Sequence, residues 1–509
     1  MVGVRLVELA AAHALAADPA AMADPVITGV TLRAQDARPG DLFAALPGTR
    51  RHGAEFAGDA VAAGAVAVLT DPAGAAQLTD AGVPVLVAAD PRAPLGALAA
   101  DVYGRPSERL PVVGVTGTSG KTTTCFLLEA ALAADGSRTG LIGTVQTSIA
   151  GRVLPSALTT PEAPDLQALF AVMLEQGVDV AVMEVSSHAL SLGRVAGTGF
   201  AVGAFTNLSQ DHLDFHSDMQ GYFEAKALLF DGRARAGVIV VDDEWGRRLA
   251  ERVPDALTVS TDPARRADVS VLERRADPTG VQHCTVATPA GTVPVTVSLP
   301  GAFNVANAAT ALACVHLLGR DVATAARALA DVAVPGRMEK VDAGQPFLAV
   351  VDYAHKPAAV EALLRAVRAA VPSRVLVVLG AGGDRDRGKR AEMGRQAALG
   401  AELVIVTDDN PRSEPPASIR AAVLAGATGA GTAAEILEIG DRREAVREAV
   451  RRARPGDAVV IAGKGHEQGQ DVAGVVHPFS DRHELTAALT DLTADPSGSA
   501  ATPPEEFSP

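Results

Sequence analysis

The residues of this chain with the clearest chemistry are Thr116-Gly117-Thr118-Ser119-Gly120-Lys121-Thr122-Thr123-Thr124. The apolar run 110–115 leads into them, and Thr122–Leu132 reads as a helix after them. A strand, a small-residue loop and a helix in that order hold a triphosphate. Loop and helix N–H groups face the phosphates, Lys121 supplies a point charge, and Thr122 reaches Mg²⁺. The common pattern wants a glycine where Val115 stands, and Gly117 takes over that role, so the loop is a variant. A chance Gly-Lys-Thr turn is the bland reading. The flanking strand and helix favour phosphate binding.

Other candidates stand at the ends of other apolar runs. Val182–His188 closes with Glu184, Ser186, Ser187 and His188. Glu184 there can hold a metal beside the triphosphate or cap the next helix. Asn207–His216 gathers two histidines and two aspartates at a spacing that matches no structural zinc site, and neutral imidazole can join a mixed Mg²⁺ shell. Lys226 lies in the largely apolar stretch Tyr222–Phe230. Its stem can snorkel, or its desolvated amine can take up CO₂ as a carbamate, and the residues alone leave both readings open. Asn304 and Asn307 share one face of a helix that opens at Gly301, where they can read a base edge or cap the helix. Four polar loops, 352–357, 380–390, 408–412 and 463–467, each follow a strand-like run, which predicts one shared cleft.

Lysine usage sharpens the search. Only six of the 45 basic residues are lysines: Lys121, Lys226, Lys340, Lys356, Lys389 and Lys464. A general bias towards arginine accounts for the scarcity. A lysine that survives the bias marks a place where a compact ammonium does what a guanidinium cannot.

The elements that must position these groups are those of an α/β protein. Strand-like and helical segments alternate, as in a mostly parallel sheet. Residues 1–106 form a small α/β domain closed by a linker at Tyr103–Ser107. Residues 107–335 form a central phosphate-loop domain, with an antiparallel addition over Val269–Leu299. The break Val334–Arg337 opens a third, Rossmann-like domain over 336–493, and 494–509 reads as a disordered tail. Val4–Ala17 reads as an ordinary helix rather than a secretion signal, because Glu8 and His13 interrupt it. Net charge of −15 and 3% aromatic residues argue against a nucleic-acid partner. Three scattered cysteines fit reduced thiols, and no apolar run is long enough to span a membrane. The expectation is a soluble cytoplasmic monomer.

Taken in order, these segments resemble the Mur ligases of peptidoglycan synthesis, and within them the MurE type. The resemblance rests on 116–124, 184–188, 207–216, 301–307, 352–357 and 463–467 and covers all but about the last fifteen residues. It implies an N-terminal domain for a UDP-linked substrate, a central ATPase, and a C-terminal domain for an incoming amino acid. It also implies ATP as co-substrate, with the γ-phosphate passing to a carboxylate of UDP-MurNAc-L-Ala-D-Glu and an amine displacing phosphate. ATP contacts would fall on Gly117, Thr118, Ser119, Gly120, Lys121, Thr122, Thr123, Asn304, Arg337 and Asp352. Thr122, Glu184, His212 and a carbamylated Lys226 would hold Mg²⁺, with Lys121, His212 and Lys226 acting at the reacting phosphate.

The acceptor would meet Thr159, Thr160, Ser186 and Arg194. Diaminopimelate would meet Arg385, Asp409, Asn410, Pro411, Arg412, Gly463 and Glu467. The Asp-Asn-Pro-Arg form belongs to the diaminopimelate-adding type, since a guanidinium can bind the second carboxylate that lysine lacks. Two positions depart from the pattern: Arg33-Ala34-Gln35 replaces Asp-Ser-Arg near the UDP site, and Ser119 replaces asparagine. A lysine-adding or D-Ala-D-Ala-adding relative, a folylpolyglutamate-synthetase-like ligase, and a non-catalytic ATP-binding switch are the alternatives.

Overall fold

The computed structural model describes residues 3–16, 23–78, 80–154, 158–213, 215–277 and 280–494. They fall into two compact units. One comprises 1–272 with 286–293 and 306–329, and the other 273–285, 294–305 and 330 onward. The domain read over 1–106 and most of that read over 107–335 lie in the first unit, while 273–285, 294–305 and 330–335 belong with the second.

That first unit begins with a parallel four-stranded sheet of Gly29–Thr31, Asp41–Ala45, Ala67–Thr70 and Val85–Val87, in that order. Leu6 and Leu9 pack with Leu42, Leu69, Leu86 and Leu98 on one face of it. The helix expected over Val4–Ala17 is shorter, Leu6–Ala12. Val4–Arg5 pairs instead with Val26–Ile27, and Ala14 turns the chain with φ of 50°. Ala17 lies outside the described residues. The linker read at Tyr103–Ser107 is a packed corner, with Arg105 at φ 49° and Pro106 and Ser107 buried.

The larger sheet is built around Val112–Thr116, flanked in parallel by Val180–Glu184 and Phe200–Phe205. Its register aligns Glu184 with Val115 and Phe205 with Thr116, so three strand ends lie side by side. All five residues of Val112–Thr116 are buried, as an apolar strand covered on both faces requires. Thr139–Ile142, Ala234–Val240 and Leu257–Ser260 extend the parallel part. The addition read as antiparallel comprises Val269–Ala276, Gln282–Thr288 and Gly291–Val297 at one edge. Its first strand joins Leu257–Ser260 in parallel.

The second unit carries a six-stranded sheet ordered Glu339–Lys340, Leu348–Asp352, Ala458–Ala462, Val375–Leu379, Leu403–Val406, Glu435–Glu438. All but the first are parallel. Ala462 is in register with both Asp352 and Leu379, and Leu379 with Val406, which brings the four polar loops to one edge. The C-terminal helix Asp481–Ala494 buries Leu485 and Leu489 against this sheet and takes in the first residue of the expected tail. Residues 495–509 lie outside the described residues. No helix among the described residues is long and apolar enough to cross a membrane.

One ion pair ties the C-terminal helix to the strand ends. Arg442 and Asp481 are both 0% exposed and meet through two bonds of 2.7 and 2.8 Å. Arg442 also donates to the carbonyl of Ala462, where Ala458–Ala462 ends. Removing one partner of a buried pair leaves the other charge stranded, at a cost of about 3–5 kcal/mol. Arg442→Leu should therefore lose about that much stability in urea unfolding, and Arg442→Leu/Asp481→Leu should lose less. A loss below about 1 kcal/mol in the single variant would contradict this.

Candidate active site

The phosphate loop is held from the neighbouring strand end. Gly117 has φ of 146°, and Gly120, with φ of 87°, starts the helix Lys121–Ala134. Such angles suit residues without a Cβ. Thr206 Oγ1 donates to the Ser119 carbonyl at 2.6 Å, and Asn207 Nδ2 donates to the same oxygen at 3.1 Å. Ser119 N–H in turn donates to Asn207 Oδ1 at 3.0 Å. The main chain of Ser119 makes these bonds, which is why serine can replace asparagine there. Thr118 Oγ1 meets Tyr222 OH at 3.2 Å, and burial pushes that phenol well above its ordinary pKa. Thr123 is buried in the first turn of the helix, and Thr124 donates to Asn307 Oδ1 at 3.3 Å.

Two lysines converge on this loop. Lys121 Nζ donates to the carbonyls of Gly117 at 2.8 Å and Thr118 at 3.0 Å. Lys226, on the helix Met219–Ala227 and only 1% exposed, donates to the same Gly117 carbonyl at 2.8 Å. Its ammonium also lies 4.6 Å from the Tyr222 ring centroid.

Glu184 is 1% exposed and gathers three donors: Thr122 Oγ1 at 3.0 Å, Thr144 N–H at 2.7 Å and Thr144 Oγ1 at 3.3 Å. It does not cap the following helix. Ser186 does, accepting from Ala189 N–H at 3.1 Å. The expected acceptor residues cluster around this point. Thr144 Oγ1 meets Thr159 Oγ1 at 2.9 Å, and Thr160 Oγ1 donates to the Glu184 carbonyl at 3.0 Å. Thr160 Oγ1 also accepts from Ser186 N–H at 3.1 Å. Arg194 pairs with Glu162 at 2.9 Å, and Glu162 also pairs with Arg92. Thr144 and Glu162 were not singled out from the sequence. The only signal for Thr144 is its place just past the strand Thr139–Ile142.

His212 has φ of 52°, lies 2.9 Å from an Asp211 carboxylate oxygen and packs edge-on against His188. Asp214, part of the same motif, lies outside the described residues. Among the described residues, no three His, Cys, Asp or Glu side chains gather into a metal set. Arg33, Ala34 and Gln35 lead into a short turn in which Arg33 pairs with Asp36 at 2.8 Å on the surface.

In the second unit the four loops read as one cleft are tied together. Gly383 N–H donates to the Asn410 carbonyl at 2.8 Å, and Arg412 Nη1 donates to the Gly383 carbonyl at 2.6 Å. Gly463 N–H donates to the Asp352 carbonyl at 3.1 Å. Asn410 Nδ2 donates to Glu467 Oε2 at 2.8 Å, so Asp409, Asn410, Pro411, Arg412, Gly463 and Glu467 form one cluster. Arg412 has φ of 52°, a strained setting of the kind found at functional positions. Arg385 is exposed on the loop beside Gly382. Asp352 accepts from Met338 N–H and Ala354 N–H, and burial raises its carboxyl above the usual range. Arg337 stacks over the Tyr353 ring at 4.2 Å. The Asn304 amide, in the first turn of the helix Ala302–Leu317, donates to the Pro300 carbonyl at 2.8 Å.

Three family descriptions match the chain in sequence. The Mur ligase family, catalytic domain matches 26–103, the Mur ligase middle domain 115–315, and the Mur ligase, glutamate ligase domain 336–465. The chain belongs to the Mur ligase family, with that family's three-domain α/β architecture. It is 56% identical over 461 residues to the UDP-N-acetylmuramoyl-L-alanyl-D-glutamate–2,6-diaminopimelate ligase of Corynebacterium glutamicum, spanning 88% of this chain and 89% of that one. To the ligase of that name from Streptomyces coelicolor it is 51% identical, over 91% of this chain and 92% of that one. A solved structure of a ligase of the same name is 33% identical, with TM-score 0.65, covering 92% of this chain and 96% of that one. A Mycobacterium tuberculosis folylpolyglutamate synthase complexed with ADP shares the fold, at 22% identity and TM-score 0.60 over 73% of this chain and 91% of that one.

Proposed function

We propose that this chain is an ATP-dependent ligase that adds 2,6-diaminopimelate to UDP-MurNAc-L-Ala-D-Glu in peptidoglycan synthesis, in the cytoplasm and as a monomer. The observation that carries this reading is the 56% identity, over 88% of the chain, to a ligase of that name. The site's chemistry supports it. Phosphoryl transfer needs positioning and charge neutralisation more than covalent chemistry. Loop N–H groups and Lys121 would hold the triphosphate. The domain limits proposed with this reading are 1–106, 107–335 and 336–493.

Mg²⁺ fits the donor set: the Thr122 hydroxyl and Glu184 carboxylate are hard oxygen ligands, 3.0 Å apart beside the loop. His212 and a carbamate on Lys226 would complete the ligands. Bound there, the ion would neutralise charge on the transferring phosphoryl group. Thr159, Thr160, Ser186 and Arg194 would orient the acceptor carboxylate, which takes the γ-phosphoryl group and becomes an acyl phosphate. The amine of diaminopimelate then attacks the acyl carbon, loses a proton, and expels phosphate as the amide forms.

The shared Gly117 carbonyl supports the carbamate. Two ammonium groups on one oxygen repel each other. When the Lys226 amine adds CO₂ and releases a proton, the repulsion becomes attraction, and the remaining N–H can still donate to Gly117. Lys226→Ala should lose activity by about 100-fold or more, and a short carboxylic acid should restore part of it. Full activity in Lys226→Ala, or in Lys226→Arg, would contradict the carbamate.

The functional reading is tested by phosphate release that requires both UDP-MurNAc-dipeptide and an amino acid, run with lysine, meso- and LL-diaminopimelate. Wild type should turn over with a diaminopimelate isomer and hardly at all with lysine. Arg412 is proposed to pair with the distal carboxylate that lysine lacks, assisted by Arg385. A charge-assisted bond is worth about 1.5–3 kcal/mol, so Arg412→Ala should raise the KM for diaminopimelate roughly 10- to 150-fold. The KM for ATP should hardly move. Equal use of lysine by wild type would overturn the specificity reading, and phosphate release without either substrate would overturn the ligase.

A further inference from the structure

Lys464 is a buried cation to which neither the family resemblance nor the proposed mechanism gives a role. Its side chain is 0% exposed, although it belongs to a cluster that opens to solvent at Glu467, 31% exposed. Nζ donates to Asn410 Oδ1 at 2.9 Å and to Glu467 Oε2 at 3.0 Å, and lies 3.9 Å from Asp409 Oδ1. Two acceptors thus bond the ammonium and a third, the Asp409 carboxylate, stands within ion-pair distance. A planar guanidinium does not match that arrangement, which explains a lysine here in a chain that otherwise prefers arginine.

The same bonds fix two neighbours. Asn410 Oδ1 accepts from both Lys464 and Asp471 N–H, so its Nδ2 must face Glu467, to which it donates at 2.8 Å. Glu467 takes both of its bonds through Oε2. Neither of those bonds uses Oε1, the oxygen that would take a ligand's ammonium.

We infer that Lys464 is a positioning residue for the amino-acid site: it touches no substrate, and sets the carboxylate plane of Glu467 and the amide orientation of Asn410. The inference rests on the assignment of this cluster to diaminopimelate. Without Lys464, Glu467 loses an ammonium partner, and the Asn410 amide oxygen keeps only the Asp471 N–H to hold its orientation. The consequence is confined to one substrate. ATP and the UDP-linked acceptor meet other residues.

Steady-state kinetics of the full-length enzyme with all three substrates test it. Lys464→Met keeps the length of the side chain and removes its donors. Its KM for diaminopimelate should rise about tenfold or more, as loss of a bond to a charged group predicts. Its kcat and its KM values for ATP and UDP-MurNAc-dipeptide should stay within about twofold of wild type. In a Glu467→Gln background the same change should add less than about threefold, because the two residues act as one unit. Lys464→Gln keeps an N–H donor and should fall between, and it carries the test should Lys464→Met not fold. A wild-type KM for diaminopimelate, parallel loss for all three substrates, or fully multiplying penalties in the double variant would each overturn the inference. Wild-type enzyme inert towards diaminopimelate would overturn the functional reading, and this inference with it.

Discussion

The first unit depends on keeping one buried carboxylate satisfied by hydrogen bonds at a strand end. Glu184 is 1% exposed, yet Thr122 from the phosphate-loop helix and Thr144 from the adjoining turn supply three hydrogen bonds. A carboxylate buried without such donors would be strongly unfavourable. The donors therefore fix where the loop, the turn and the strand lie relative to one another. A side chain at position 143 would displace that carboxylate: a Cβ on Gly143 would stand 2.6 Å from Glu184 Oε1. Thr144 passes the constraint on to Thr159, so the proposed metal-binding carboxylate and the proposed acceptor contacts belong to one network.

The second unit solves a related problem with cations. Arg442 is completely buried and ties the end of Ala458–Ala462 to the first residue of the C-terminal helix. Lys464, two residues past that strand, is buried among Asp409, Asn410 and Glu467. Parallel strands that end in register deliver these loops together, and the buried charges then set their side-chain directions. In both units, position comes from the sheet and orientation from buried polar bonds.

Much of this was legible in the sequence. Val112–Thr116 and the helix after it were evident because an apolar run and a Gly-Lys-Thr loop are local signals. The shared edge of the four C-terminal loops followed from each one ending a strand. The strand order was not legible: Ala458–Ala462 inserts between Leu348–Asp352 and Val375–Leu379, a non-local pairing that no window of sequence records. Thr144 and Glu162 were missed because a single threonine or glutamate in a polar stretch carries no signature. Arg442 was missed because it opens a helix rich in arginine and glutamate, and its partner Asp481 stands 39 residues away. Val4–Arg5 was read as helix, since two residues of edge pairing leave no period in the sequence.

The central claim is the proposal that Glu184, besides fixing the loop and the turn, binds the metal of ATP. It is tested most directly by Glu184→Gln, which keeps the shape and most of the hydrogen bonds and removes the charge. The measurement is the Mg²⁺ concentration giving half-maximal phosphate release, set beside ATP binding in metal-free buffer. The account predicts that the Mg²⁺ requirement rises about tenfold or more while metal-free ATP binding stays within about twofold of wild type. Normal turnover by Glu184→Gln at low Mg²⁺ would contradict it.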